Sequence, residues 1–173
     1  KEEVMKELPE KTYVDIPVEL SDKEREIYDA VKSEVLSYIN DQDLSKIDWG
    51  TVNLVLTKML RLLQITDSCE LVGGNLVSSK LEALKELLES LGGEKVLIFT
   101  RFKQMAEILH RELTVYNPLL VSGDTPQGAR IGFIKEFEAG RHKLLISTET
   151  LGYGVNMAFC KYLINYDLPW SLS

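Results

Sequence analysis

From residue 95 onward, short unbroken apolar runs alternate with amphipathic stretches. The runs are KVLIFT at 95–100, LLVS at 119–122, KLLIST at 143–148 and KYLINY at 161–166. Between them, Phe102, Met105, Leu109 and Leu113 recur at helical spacing, and so do Ile131, Ile134 and Phe137 before Gly140. Unbroken apolar strands separated by helices with one apolar face predict a parallel sheet covered on both sides, an α/β doubly wound core.

The first half of the chain reads differently. Residues 12–20 alternate β-branched or aromatic residues with polar ones, which predicts an edge or appended strand. Ser21 followed by Glu24 is a capping-box pattern opening a helix to about Tyr38, with Ile27, Val31 and Val35 along one side. Residues 40–50 are polar and predict a loop. The stretch 51–64 is apolar nearly all round, predicting a helix gripped on several sides. A loop over 66–78 follows, and Ser79 with Glu82 predicts a second capping box. The helix it opens carries Leu81, Leu84, Leu88 and Leu91 and ends at Gly92 and Gly93.

In open parallel sheets ligands bind beyond the carboxyl ends of the strands, so the residues there are the candidates for chemistry. They are Thr100 and Arg101, Ser122 to Asp124, Ser147 and Thr148 with the loop as far as Asn156, and Asp167 to Trp170. The stretch STETLGYGVNM at 147–157 places two hydroxyls, two glycines and an asparagine after a buried strand, a composition suited to phosphate and equally to an ordinary turn. Thr100 and Arg101 can hold a phosphate, or cap and decorate a helix start. Ser122 to Asp124 form a turn in which Asp124 or Thr125 would cap the next helix.

Composition narrows the classes. At 173 residues with 45% hydrophobic content, one sizeable core is expected. No apolar run approaches the roughly 20 residues of a membrane helix, and the start of the chain lacks a signal-peptide core, so the expectation is a soluble intracellular protein without membrane partners. Cys69 and Cys160 stand apart and predict free thiols, while His110 and His142 lack partners at metal-ligand spacing. The net charge of −7 disfavours a protein that holds nucleic acid by bulk charge. Its distribution is uneven, however: residues 1–50 hold 7 basic and 14 acidic side chains, and residues 95–143 hold 8 basic and 5 acidic ones. No GxxxxGK followed by Ser or Thr occurs, no acidic pair follows an apolar strand to hold Mg²⁺, and no nucleophile–histidine pair can be assembled. Lys1 is not an initiator methionine and the chain stops straight after a strand-like stretch, so both ends are expected to be cut points within a longer protein.

Taken in order, these segments resemble the second motor lobe of SWI/SNF-type translocases of helicase superfamily two. LPEKTYVDIPVELSDKEREIYDAV looks like the passage out of the first lobe, and MLRLLQITDSCELV like the helix and loop before the second. SSKLEALKELLESLGGEKVLIFTRF is similar to the second lobe's first helix and fourth motif, VSGDTPQGARIGFIKEFEAG to its next strand, turn and helix, and STETLGYGVNMAFCKYLINYDLPWS to its fifth motif and following strand.

The resemblance implies a RecA-like lobe over residues 79–173, ending before the sixth motif, preceded over 1–78 by a strand, helices and loop leading from a first lobe. It implies ATP with Mg²⁺ bound in the cleft between the lobes, chiefly by the first lobe, and duplex DNA tracked across both. It places Thr100, Arg101, Ser147 and Thr148 near DNA phosphates, and Gly152, Gly154 and Asn156 near the nucleotide. In place of the family's paired glycines, Gly152 lies between Leu151 and Tyr153. The arginines of the sixth motif are absent, so this chain alone is expected to hydrolyse no ATP. Two other readings fit the same segments: a superfamily-two motor acting on RNA or single strands, and a protein-binding module on a motorless RecA-like fold whose acidic N-terminal third is a partner surface.

Overall fold

A computed structural model of the chain describes residues 11–41, 48–148 and 157–167. Two helices come first, α1 (Asp22–Asn40) and α2 (Trp49–Asp67), and pack against each other as a hairpin. There follow α3 (Ser79–Ser90), β1 (Val96–Phe99), α4 (Lys103–Glu112), β2 (Leu119–Val121), α5 (Gln127–Glu138), β3 (Leu144–Ser147) and β4 (Tyr162–Asn165). The four strands form one sheet in the order β2-β3-β1-β4, parallel throughout. The α/β doubly wound core expected from the apolar runs is therefore present.

The pleat assigns alternate residues to opposite faces. Val96 and Ile98 of β1 and Leu144 and Ile146 of β3 meet the apolar stripes of α3 and α4: Leu81, Leu84, Leu88, Met105, Leu109 and Leu113. On the other face, Leu97, Leu145, Leu119 and Val121 pack on Phe137 of α5, with Phe133, Ile134 and Phe159 around it. Each fully buried side chain of this kind contributes about 2 kcal/mol of transfer free energy. Gly92 and Gly93 both adopt positive φ, a backbone conformation that lets the chain turn from α3 into β1 without a Cβ clash.

Several sequence expectations are corrected. Residues 12–20 form no strand and pair with none among the described residues, and they are mostly exposed, with Tyr13 87% exposed; alternation makes a strand only where a neighbouring strand pairs with it. Helix α2 is not gripped on several sides. It packs on α1 and by its last turn on the lobe, leaving Leu56, Met59 and Leu63 exposed among the described residues. It also runs past residue 64 to Asp67 and into a 3-10 turn at Cys69–Val72. The N-cap of α3 is Ser78, whose hydroxyl accepts from Leu81 N, and not Ser79. Ile131 is exposed, and Phe133 packs in the core instead.

Candidate functional site

All four strands point the same way, so their carboxyl ends form one edge. Backbone bonds keep that edge laced beyond the strands proper: Thr100 N donates to Ser147 O (3.1 Å), Thr148 N to Val121 O (3.2 Å) and Tyr166 N to Phe99 O (2.8 Å). After β1, Thr100 is 2% exposed, and its hydroxyl donates to Oδ2 of Asp167 at 2.6 Å. The same carboxylate accepts the main-chain N–H of Arg101, at 3.0 Å from Oδ1 and 2.9 Å from Oδ2. At the end of β3, Ser147 is fully buried and its hydroxyl donates to Thr148 O at 2.7 Å; Thr148 is buried as well.

The turn after β2 is held from two sides. Ser122 N donates to Thr125 Oγ1 (3.0 Å), so this threonine closes the turn and does not cap α5. The Arg130 guanidinium reaches back from α5 to Thr125 O (2.8 Å), Gly123 O (3.3 Å) and Ser122 O (3.4 Å). Asp124 engages Lys103 at the start of α4, joining two neighbouring segments of the edge.

Helices α4 and α5 both begin at this edge, at Phe102 and Pro126, with no side-chain cap. The other three helices are capped by Ser21, Asp48 and Ser78. A helix start carries N–H groups without intrahelical partners and a partial positive charge, so α4 and α5 present to the edge donors that no capping side chain occupies.

Behind the edge lies a buried polar cluster that sequence reading did not anticipate. Asp67, 1% exposed, closes α2, and its Oδ1 meets Lys80 Nζ at 2.6 Å. Its main-chain oxygen accepts from Ser78 Oγ (2.8 Å) and from the phenol of Tyr166 (2.9 Å), over whose ring the Lys80 ammonium sits at 4.7 Å. Burial pushes the Asp67 carboxyl up to about 6 against the pull of Lys80, and its buried Oδ2 has no hydrogen-bond partner among the described residues. Burial also raises the Tyr166 phenol.

Of the residues singled out from sequence, Thr100, Arg101, Ser147 and Thr148 come together at the carboxyl edge, with Thr100, Ser147 and Thr148 buried and Arg101 half-buried. Gly152, Gly154 and Asn156 lie outside the described residues, as do Pro169 and Trp170. Asp167 stood among the strand-end positions without a role. Its signal was an acidic residue straight after a strand, and what it binds is 66 residues away in sequence. Among the described residues, no group of three or more His, Cys, Asp or Glu side chains could hold a metal ion.

Over residues 79–173, just over half of its length, the chain matches the model of the helicase conserved C-terminal domain. The chain belongs to that family. An uncharacterized ATP-dependent helicase of Mycoplasma genitalium is 26% identical over 176 residues, covering 99% of this chain and 17% of the relative. DEAD-box ATP-dependent RNA helicase 40 of Oryza sativa subsp. japonica is 35% identical over 107 residues, covering 61% of this chain and 13% of the relative. The chain thus spans less than a fifth of either. Among solved structures, the C-terminal domain of the Sulfolobus solfataricus SWI2/SNF2 ATPase superposes with a TM-score of 0.73 at 23% identity, over 87% of this chain and 69% of that one. The core of the same ATPase in complex with dsDNA superposes equally well, over 33% of its length. These likenesses establish the fold of this member of the helicase C-terminal family.

Proposed function

We propose that this chain is the C-terminal motor lobe of an intracellular ATP-dependent translocase of the SWI/SNF type, and that its carboxyl edge grips the phosphate backbone of duplex DNA. The observation that carries the reading is the edge itself. Arg101, the Ser122 turn and the side-chain-uncapped starts of α4 and α5 converge where a parallel sheet takes its ligands. Donors of this kind bind phosphates without reading bases, which suits a motor that must step along any sequence.

Residues 79–173 would form the lobe, and residues 1–78 the passage from a first lobe elsewhere in the protein. The likeness to the SWI2/SNF2 domain covers 87% of the chain, more than residues 79–173 could supply, so it extends into the helical hairpin. That extension supports reading residues before 79 as part of the same motor. The sequence holds neither a P-loop nor an acidic pair after an apolar strand, so ATP and Mg²⁺ would be bound chiefly by the first lobe. Gly152, Gly154 and Asn156 are the positions of this chain proposed to face the nucleotide.

The test is ATP hydrolysis by the complete protein with and without added duplex DNA. Stimulation by duplex is expected, and a basal rate indifferent to DNA would falsify the proposal. A second reading, a motor on RNA, is favoured by the 35% identity to the rice RNA helicase. Stimulation by single-stranded RNA alone, together with robust displacement of one strand from short duplexes, would decide for it.

A further inference from the structure

We propose that the Tyr166 phenol links the carboxyl edge to the helical hairpin, so that a disturbance at the edge is felt at the seat of α2. The link is tested without DNA, and it stands or falls apart from the grip proposed above.

The hairpin meets the lobe through polar groups. Among the described residues, no side chain of α1 or α2 belongs to either apolar cluster of the lobe, and the hairpin's own buried apolar residues, Val35 and Ile65, lie outside both. What joins the end of α2 to the lobe is the main-chain oxygen of Asp67, which accepts from Ser78 Oγ at 2.8 Å and from the Tyr166 phenol at 2.9 Å. Lys80 Nζ adds its contact to Asp67 Oδ1 at 2.6 Å, and Glu24, at the start of α1, binds the N–H and hydroxyl of Ser79. Hydrogen bonds are directional, so they fix how the hairpin is seated, whereas apolar contact is not and tolerates sliding.

Of the two donors on Asp67 O, Ser78 lies 11 residues away in sequence and Tyr166 lies 99 away, at the end of β4. The Tyr166 ring is buried in the apolar cluster with α3 and α4, beneath the Lys80 ammonium at 4.7 Å. Its main-chain N–H donates to Phe99 O at 2.8 Å, which carries the pairing of β1 and β4 past the strands proper. The next residue, Asp167, accepts the Thr100 hydroxyl at 2.6 Å and the Arg101 main-chain N–H at 2.9 and 3.0 Å. Two adjacent residues thus hold opposite things: the carboxylate of one clasps the loop between β1 and α4, and the phenol of the other holds the end of α2. A displacement of that loop passes from Asp167 to Tyr166, and through the phenol to Asp67 O.

The experiment measures amide hydrogen–deuterium exchange in the complete protein, in peptides covering residues 62–72, with peptides of α5 as the control for general loosening. Tyr166→Phe keeps the ring and leaves Asp67 O its bond from Ser78, and it should speed exchange at 62–72 about fivefold, the worth of one net hydrogen bond. The link itself is read from the edge. Thr100→Val and Asp167→Asn each weaken the clasp, and each should speed exchange at 62–72 about threefold while Tyr166 is present. In the Tyr166→Phe background neither should add anything further. A residue of merely structural importance would give additive changes instead, so equal effects of the edge variants with and without the phenol would overturn the proposal. Unchanged exchange at 62–72 in both edge variants would overturn it too, as would a matching rise in α5. Should Tyr166→Phe fail to fold, the edge variants decide alone: faster exchange at 62–72 beside an unaffected α5 supports the link, and no change at 62–72 removes it.

Discussion

Two buried carboxylates join the helical hairpin to the lobe, and they are built on opposite principles. Glu24, on α1, is 1% exposed and fully satisfied: it accepts from Ser21 N (2.8 Å), Ser21 Oγ (2.7 Å), Ser79 N (3.0 Å) and the Ser79 hydroxyl. One side chain thereby completes the capping box of its own helix and binds the first turn of α3. Burial alone would push its carboxyl up, but these bonds together hold it below the usual glutamate range. Asp67, on α2, is equally hidden yet has one ion pair and one orphaned oxygen, and it is pushed up to about 6. Burial does not by itself decide whether an acid stabilises a junction. The number of donors waiting for it does.

The largest effect is expected at the satisfied carboxylate. Glu24→Ala strands several donors at once and should lower the stability of the chain by about 3 kcal/mol in urea unfolding, with Glu24→Gln losing roughly a third of that. A loss below about 1 kcal/mol for the alanine variant would show that α1 is held by apolar contacts alone.

Asp67 sets the next test, and its sign is opposite. Its folded pKa lies above the unfolded value of about 3.9, so its contribution is fully favourable below about pH 4 and is lost as the pH rises through about 6. Two pKa units correspond to about 3 kcal/mol, so Asp67→Asn should stabilise the chain by about 2 kcal/mol at pH 8 and leave it unchanged at pH 4. Glu24 behaves inversely: its contribution is present above the ordinary glutamate value and disappears as the pH falls through its lowered pKa. Unfolding curves from pH 3.5 to 8 should show both slopes. Equal stability of Asp67→Asn and wild type at pH 8 would mean that the Lys80 pair offsets the burial cost.

Smaller effects bound the comparison. Ser78→Ala removes the N-cap of α3 and one of the two bonds to Asp67 O, and about 1 kcal/mol is expected. Arg111 makes a two-pronged pair with Glu70 at 2.7 and 2.9 Å, but both side chains are exposed. Arg111→Ala should therefore cost less than about 1 kcal/mol, with the loss shrinking further in high salt. An equal cost for Arg111→Ala and Glu24→Ala would remove the distinction between buried and exposed charge in this molecule.

How legible each part was in the sequence follows from the range of the forces involved. Strand positions and the two faces of the sheet were readable because VLIF, LLV, LLI and YLI are continuous apolar runs, and such patterning is a local signal. The helix over 22–40 was readable from Ser21 and Glu24, and the structure adds that Glu24 also serves a helix 55 residues away. The strand expected at 12–20 failed because alternation describes a half-buried surface, and nothing local says whether a neighbour exists to bury it. The carboxyl edge was legible as a place, since any parallel sheet has one. The Asp167 clasp and the Asp67 cluster were not, because each joins residues that only the folded topology brings together.

The strand order also dictates an order of assembly. Among the described residues, β1 pairs with β3 and β4, and β2 pairs with β3 alone, so β1 and β2 have no ladder to share with each other. A chain emerging from the ribosome could make both strands and hold neither in a sheet until residues 144–147 arrive. Closing those loops carries an entropic cost before any strand pairing offsets it. Until then, the apolar segments VLIF and LLV would be exposed to other nascent chains, and β3 ends that interval by joining them in a single step.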